Sequence, residues 1–208
     1  MNICYIFSAS DISDYSVVNK IFDRDDLVIC VDGGYRHTRR LGVYPNILVG
    51  DFDSIDEMPE FKNKIVLSPE KDDTDTHYAV KLGMQNGFKK FIIYGALGGR
   101  LDHTLANLQT AMFVAQMGGQ ATLVDGNDIV TVITNTKIKV PKTKGYSLSV
   151  FSLSDVCTNV TIKGAKYTLD DATLTASVPI GVSNEFTEDY CEISVGSGFL
   201  AVIKSRII

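Results

Sequence analysis

The sequence predicts an α/β protein: an N-terminal parallel-sheet α/β domain followed by a C-terminal antiparallel β-sandwich domain. Three observations carry that expectation. Short apolar runs alternate with stretches of helical spacing through the first part of the chain, the pattern of a parallel sheet covered by helices. Beyond about Asn127 the texture changes to short alternating segments punctuated by Gly, Ser, Thr and Asn, the pattern of antiparallel strands. At 208 residues the chain is long enough to bury one large core or two modest ones without staples.

Taken in order, the apolar runs at 3–8, 27–31, 47–50, 65–68, 91–95 and 121–124 are the candidate parallel strands. A helix is predicted from Thr74 to Gly87. A second, over 102–117, carries Leu105, Leu108, Ala111, Met112 and Ala115 as a continuous apolar stripe and stops at Gly118-Gly119. Met112 and Phe113 are therefore expected in the core. Candidate strands follow at 129–133, 146–151, 160–163, 190–195 and 199–204. The boundary falls between residues 125 and 140, and the two domains are set at 1–130 and 131–208.

Composition narrows the setting. A hydrophobic content of 45% with 22% charged residues is ordinary for a globular protein. The net charge of −5 implies no basic face for nonspecific nucleic-acid binding. No apolar run approaches membrane-spanning length, so no membrane partner is expected. Cys4, Cys30, Cys157 and Cys191 lack any C-x-x-C spacing and read as reduced core residues. The first residues carry no basic leader and read as a strand, so a cytoplasmic protein is expected. The Asn159-Val160-Thr161 sequon then carries no meaning.

The segment Gly95-Ala-Leu-Gly-Gly-Arg-Leu-Asp-His-Thr104 places glycines, a cation, a carboxylate and an imidazole where a strand becomes a helix. Glycines let a backbone approach a polyphosphate, a helix start near Asp102 points its positive end there, and Arg100 is placed to clamp phosphate oxygens. Two acidic clusters follow earlier strands: Asp51-Phe-Asp53 and Lys71-Asp-Asp-Thr-Asp75. The carboxyl ends of parallel strands share one edge, so all three clusters should converge. Gathered carboxylates call for a hard cation, and Mg²⁺ fits better than Zn²⁺, which favours Cys and His. In an extended chain Asp51 and Asp53 share a face at roughly 6.6 Å, and Asp72 and Asp75 share a helix face. The alternatives are local: Asp53 with Ser54 capping a helix or turn, and Asp72 to Asp75 forming an acidic first turn.

In this order, Asp32-Gly-Gly34, Gly50-Asp-Phe-Asp-Ser54, Lys71-Asp-x-Thr-Asp75 and Gly98-Gly-Arg-x-Asp-His103 resemble the motif set of thiamine pyrophosphokinases. Gly164-Ala-Lys-Tyr-Thr-Leu169 and Gly181-Val-Ser-Asn-Glu185 resemble that family's two substrate-side segments. The resemblance implies a catalytic α/β half that binds ATP and Mg²⁺. It also implies a β-sandwich half that helps hold thiamine across a homodimer interface. The implied reaction is pyrophosphoryl transfer: the thiamine hydroxyl attacks the β-phosphorus of ATP, thiamine diphosphate forms and AMP leaves.

On that resemblance Asp51, Asp53, Asp72, Asp75 and Asp102 hold Mg²⁺ directly or through water, and one of them is a candidate acceptor of the hydroxyl proton. Lys71 and Arg100 stabilise the phosphates. The backbone around Gly33, Gly34, Gly98 and Gly99 admits the nucleotide, which Asp32, Thr74, His103 and Asn107 also contact. His103 is alternatively an orienting or capping residue. No Gly-x-x-x-x-Gly-Lys-Ser/Thr sequence is present, so the acidic and glycine motifs must hold ATP themselves. His37, among three arginines, reads as part of a solvated helix face, and His77 as an ordinary helix residue.

Thiamine, with its cationic thiazolium, calls for an aromatic surface and hydrogen bonds, which Tyr167, Ser183 and Asn184 supply. Tyr167 stands where the family often has Trp, and this chain has none. Alternatively Tyr167 packs the sandwich edge and Ser183-Asn184 form a turn. Two rival functions use the same residues: a metal-dependent phosphohydrolase and a noncatalytic thiamine sensor.

Overall fold

The apolar runs of the N-terminal part become strands of one parallel sheet in the structure, a computed structural model that describes residues 2–52, 61–68 and 73–207. The chain divides into two compact units, Met1–Gly126 and Asn127–Ile208. In the first, the strands are β1 (Ile3–Phe7), β2 (Leu27–Val31), β3 (Ile47–Gly50), β4 (Lys64–Val66), β5 (Lys90–Tyr94) and β6 (Gln120–Val124). The helices are α1 (Tyr35–Leu41), α2 (Asp75–Gln85) and α3 (Leu101–Gln116). Strands run in the order β4-β3-β2-β1-β5-β6, every neighbouring pair parallel.

The runs lack polar alternation because both sheet faces are covered: Ile6, Phe7, Ile29 and Ile93 are all fully buried. The order also locates the site. The chain steps from β1 outward to β4, then returns to the other side of β1 as β5. A crevice therefore opens beyond the carboxyl ends of β1 and β5, where α/β sheets bind ligands.

Two helix expectations are corrected. The buried face of α3 consists of Asn107, Thr110, Ala111, Val114 and Ala115, while Leu105 is 53% exposed. The face is rotated from the predicted stripe because its polar members find partners. Asn107 Nδ2 donates to the Ala96 carbonyl at 2.8 Å, and Thr110 Oγ1 donates to the Ala106 carbonyl at 3.0 Å. Small and satisfied side chains let the helix lie close to the sheet, whereas Met112 and Phe113 are only half-buried. On α1, His37 is 1% exposed and lies inside rather than on a solvated face. Its Nδ1 is 2.5 Å from the Tyr15 hydroxyl and its Nε2 is 2.9 Å from the Ser10 carbonyl.

The second unit is antiparallel. Its strands are β7 (Asp128–Ile133), β8 (Thr136–Pro141), β9 (Tyr146–Ser152), β10 (Val156–Lys163), β11 (Leu169–Thr175), β12 (Tyr190–Val195) and β13 (Leu200–Arg206). They form the sequences β7-β13-β9 and β11-β10-β12-β8. Both contribute to one core: Ile133, Leu148 and Leu200 from the first meet Val160, Leu174 and Ile193 from the second. That is a sandwich. β8 and β11 were not among the predicted strands, since β8 alternates with lysines and β11 carries Asp170 and Asp171.

All four cysteines are free and buried. Among the described residues, no helix is long and apolar enough to cross a membrane.

Burial lowers the pKa of His37 below its ordinary 6.5. The unfolded chain then takes up that proton first as pH falls, so the His37 contribution to stability is whole above about pH 6.5 and declines below it. His37→Gln, which cannot titrate, isolates the effect. In urea titrations the stability of the wild type relative to the variant should fall as pH is lowered from about 7.5 to 5.5. A difference that stays constant or grows refutes the assignment.

Candidate active site

Beyond the carboxyl ends of β1, β2 and β5 lies a cleft of about 190 Å³. β1 delivers Ser8 and Ser10 to it, β2 delivers Asp32, and α2 begins there with Thr74 and Asp75. Gly95 closes it from β5, and α3 adds His103 and Asn107. Five of the sequence-predicted residues are thus gathered in one place: Asp32, Thr74, Asp75, His103 and Asn107.

Asp32 is the first residue after β2, with a left-handed φ of 45° in the 3-10 turn Asp32–Gly34. Its Oδ1 is buried and has no hydrogen-bond partner among the described residues. Its pKa is pushed up to about 7, first by burial, then by a hydrogen bond and charge repulsion from Asp75 and repulsion from Asp51. The Phe52 backbone N–H opposes the rise only in part. Near neutral pH, therefore, the Asp32 carboxyl is protonated for part of the time, and the site holds less negative charge than its composition suggests.

The neighbouring backbone explains how a carboxylate reaches this position. A Cβ on Gly50 would lie 1.6 Å from Asp32 Oδ1, so only glycine fits at the end of β3. A Cβ on Gly34 would lie 2.0 Å from the Phe7 carbonyl oxygen, so glycine lets the turn after β2 close onto β1. Phe52 is 7% exposed and left-handed at φ 63°, with Lys64 Nζ 4.5 Å from its ring. The backbone is thus kinked and not extended at Phe52, while the spacing expected between Asp51 and Asp53 lies outside the described residues. Asp53, Lys71 and Asp72 lie outside the described residues.

Thr74 caps α2 by accepting the His77 amide at 3.2 Å, which leaves Asp75 in the first turn. Thr76 Oγ1 and Ser8 Oγ are 2.6 Å apart and tie α2 to β1. Sequence reasoning missed Ser8, Ser10 and Thr76. The signal for Ser8 was available: it is the first polar residue after an apolar run, as Asp32 is.

The glycine loop reads differently from its neighbours. Gly95, Gly98 and Gly99 all have positive φ. Arg100 forks onto Asp102, Nε to Oδ1 at 3.1 Å and Nη2 to Oδ2 at 2.6 Å, both side chains exposed. This partner holds the Asp102 carboxyl below its usual range. Neither residue is among those lining the cleft. Asp102 also accepts the His103 amide at 2.9 Å, so it serves the first turn of α3.

In the second unit the substrate-side residues divide their labour. Asn184 is buried, and its Oδ1 accepts from the Tyr167 amide at 3.0 Å and from the Glu185 amide at 2.9 Å. Its Nδ2 donates to the Tyr167 carbonyl at 2.6 Å. Ser183 is left-handed at φ 57°, and its amide donates to Ser149 Oγ at 3.0 Å. Tyr167 itself is 64% exposed, next to a Lys166–Glu185 ion pair of 2.8 Å. Asn184 thus braces the backbone that presents Tyr167.

Among the described residues no group of three or more His, Cys, Asp or Glu stands close enough to hold a metal ion alone. Asp32 and the two carboxylates whose charge it feels, Asp51 and Asp75, offer only oxygen, and Asp32 Oδ1 has no hydrogen-bond partner among the described residues. This chemistry fits a hard cation such as Mg²⁺, which takes one or two carboxylates and completes its shell with water and phosphates.

Comparison with known proteins agrees. The family model for the thiamin pyrophosphokinase catalytic domain matches residues 18–122, and that for the thiamin pyrophosphokinase vitamin B1 binding domain matches 135–200. A thiamine pyrophosphokinase of Bacillus subtilis is 28% identical over 191 residues, 88% of this chain and 89% of that protein. The crystal structure of thiamine pyrophosphokinase from Bacillus subtilis superposes with a TM-score of 0.85 at 24% identity, each chain fully covered. That of a thiamin pyrophosphokinase family protein from Enterococcus faecalis gives 0.83 at 28% identity, again with full coverage of both.

The Gly50 contact sets a measurable cost. Gly50→Ala must displace the Asp32 carboxylate and should lose about 2–4 kcal/mol in urea unfolding. Gly42→Ala, where nothing lies within 4 Å of the added Cβ, should lose only about 1–2 kcal/mol for its positive φ. Equal losses would refute the contact.

Proposed function

The chain belongs to the thiamine pyrophosphokinase family, and from that premise we propose that it transfers the pyrophosphoryl group of ATP to the hydroxyl of thiamine, giving thiamine diphosphate and AMP. The observation that supports this most is the placement of Asp32 and Asp75 in one cleft at the carboxyl edge of a parallel sheet, with Asp51 near enough to repel Asp32 and a glycine turn and a helix start beside them. Pyrophosphoryl transfer asks a protein mainly for alignment and charge neutralisation.

In the proposed step the thiamine hydroxyl oxygen bonds to the β-phosphorus as the bond from that phosphorus to the α,β-bridging oxygen breaks. AMP departs with the bridging oxygen, and the hydroxyl proton passes to a carboxylate of the cluster. Asp51, Asp53, Asp72, Asp75 and Asp102 are the proposed Mg²⁺ holders, directly or through water. When bound, Mg²⁺ would neutralise charge on the phosphate oxygens. Asp32, whose carboxyl pKa is pushed up to about 7, adjusts the charge of the cluster by taking up a proton near neutral pH. Lys71 and Arg100 take phosphate oxygens, Arg100 by exchanging Asp102 for a ligand anion of similar geometry. The backbone at Gly33, Gly34, Gly98 and Gly99, with Thr74, His103 and Asn107, receives the nucleotide.

Thiamine is assigned to Tyr167, whose ring suits a cationic heterocycle, supported by Ser183 and Asn184. On this proposal residues 1–130 handle ATP and Mg²⁺ and residues 131–208 handle the vitamin and dimerisation. The protein works as a homodimer with the thiamine site at its interface. A cytoplasmic location fits four cysteines that are all unpaired and buried.

The decisive assay follows AMP release from ATP and Mg²⁺ with and without thiamine, with thiamine diphosphate measured in the same mixture. Stoichiometric, thiamine-dependent AMP and thiamine diphosphate are expected. Phosphate or AMP released without thiamine would favour a phosphohydrolase, and thiamine binding without turnover would favour a sensor. Asp75→Asn should lower kcat by about 10²-fold or more while leaving the circular dichroism spectrum unchanged. Retention of full activity would remove Asp75 from the machinery.

A further inference from the structure

We propose that His37 is a positioning residue for the nucleotide cleft, clamping the segment that follows β1 to the helix that follows Asp32. The proposal rests on the assignment of that cleft to ATP. Residues 8–10 leave β1 and form one wall of the cleft, while Asp32 belongs to the end of the neighbouring strand β2 and its turn leads directly into α1. His37 lies on α1, five positions after Asp32. A bond from His37 to the β1 exit therefore fixes one wall against the other.

The bonding is specific. The Ser10 carbonyl can only accept, so His37 Nε2 carries the hydrogen that bridges the 2.9 Å between them. Nδ1 is then unprotonated and accepts the Tyr15 hydroxyl hydrogen at 2.5 Å. The Arg40 guanidinium lies 4.1 Å from the centroid of the Tyr15 ring and holds the phenol in place. The preceding residue adds a parallel contact: Arg36 Nη2 donates to the Ala9 carbonyl at 2.6 Å and to Asp11 at 2.7 Å. Two consecutive carbonyls of the β1 exit are therefore taken by two consecutive α1 side chains.

From the other side the same segment is sewn to β5. The Ser8 amide donates to the Tyr94 carbonyl at 2.8 Å, and the Ser10 amide to the Gly95 carbonyl at 3.0 Å. The Ser10 residue is held at both its N–H and its C=O. The space is closed as well: a Cβ on Gly95 would lie 2.6 Å from the Ser8 oxygen, 2.7 Å from the Ser10 oxygen and 3.3 Å from His37 Nε2. Arg36 and Asp11 are exposed, so water competes for that contact, whereas His37 is 1% exposed and its bonds are not contested. An apolar side chain of similar size would fill the volume but leave the Ser10 carbonyl and the Tyr15 hydroxyl without partners, which is the costly part.

The test uses full-length His37→Leu, His37→Gln and Tyr15→Phe. Glutamine offers an amide donor and a carbonyl acceptor in place of the two ring nitrogens, so it should restore what leucine removes. Hydrogen–deuterium exchange without ligand should be faster over residues 8–13 in His37→Leu and near wild type in His37→Gln. Calorimetric affinity for ATP and the KM for ATP should worsen about tenfold in His37→Leu, with the KM for thiamine unchanged. Tyr15→Phe, which loses one hydroxyl and keeps the fold, should fall between. Unchanged exchange, equal damage to both substrates, or a glutamine variant as impaired as the leucine variant would show that His37 only fills the core. If wild-type protein binds no ATP, the nucleotide assignment of the cleft falls and the proposal with it, and the exchange data then distinguish a clamp without that ligand from no clamp at all.

Discussion

Asp32 occupies a place where a carboxylate is hard to keep. One oxygen is buried without a partner among the described residues, the Asp75 carboxylate repels its charge, and Asp51 adds further repulsion. Left to itself such a group would turn toward water. It stays because the backbone around it leaves no other route: Gly50 yields the space a side chain would fill, Gly34 folds the turn onto the Phe7 carbonyl, and Phe52 is locked in a left-handed conformation by burial. Strain and repulsion are concentrated at one sheet edge and offset by a core of fully buried Ile, Leu, Val and Phe directly beneath it. A cation would relieve that repulsion.

Several residues around the cluster hold the frame, Asn107 doing so from the cleft lining itself. Asn107 gives its amide hydrogen to the Ala96 carbonyl, Thr76 pairs with Ser8, and His37 spans Ser10 and Tyr15. The first ties the end of β5 to the helix that follows it, while the Thr76 and His37 bonds tie the end of β1 to helices from later in the sequence. A parallel sheet needs such ties, because its strand ends carry no hairpins and its loops are long. Arg100 and Asp102 behave otherwise. Their mutual fork is exposed, so the pairing contributes little to folding, and a phosphate can replace the carboxylate on the guanidinium at small cost.

Much of this was legible in the sequence, and the failures share a cause. The six parallel strands announced themselves as apolar runs, and the carboxyl-edge rule then brought Asp75 and His103 together, while Asp32 entered through the family resemblance. α3 was misjudged because its buried face is Asn107, Thr110 and alanines, whose burial depends on hydrogen bonds that periodicity cannot see. His37 was misjudged for the same reason: flanking arginines suggested a wet surface, while two specific partners more than twenty residues away hold it inside. β11 escaped notice because Asp170 and Asp171 are poor strand formers, tolerated where their side chains face water. Patterns of polarity reveal burial that is driven by the hydrophobic effect, and they miss burial that is made acceptable by a distant partner.

The C-terminal unit shows how far the same logic reaches toward specificity. Asn184 spends its carbonyl on two amides and its amide on the Tyr167 carbonyl, so it shapes the turn instead of facing outward. Glu185, the nearest carboxylate in that segment, is paired with Lys166. An incoming cationic ring would find that carboxylate already partly neutralised, with a lysine ammonium 5.7 Å from the centre of the Tyr167 ring. Attraction for the ligand must then come from the tyrosine face, which at an exposed site is worth about 0.5–1 kcal/mol and rises to about 2 kcal/mol only when water is excluded. A smaller ring than indole presents less surface for that purpose. On the proposed assignment of the vitamin to Tyr167, selectivity at this end of the molecule therefore depends on how completely that ring is covered when the ligand arrives, and the turn that Asn184 braces is what presents the ring.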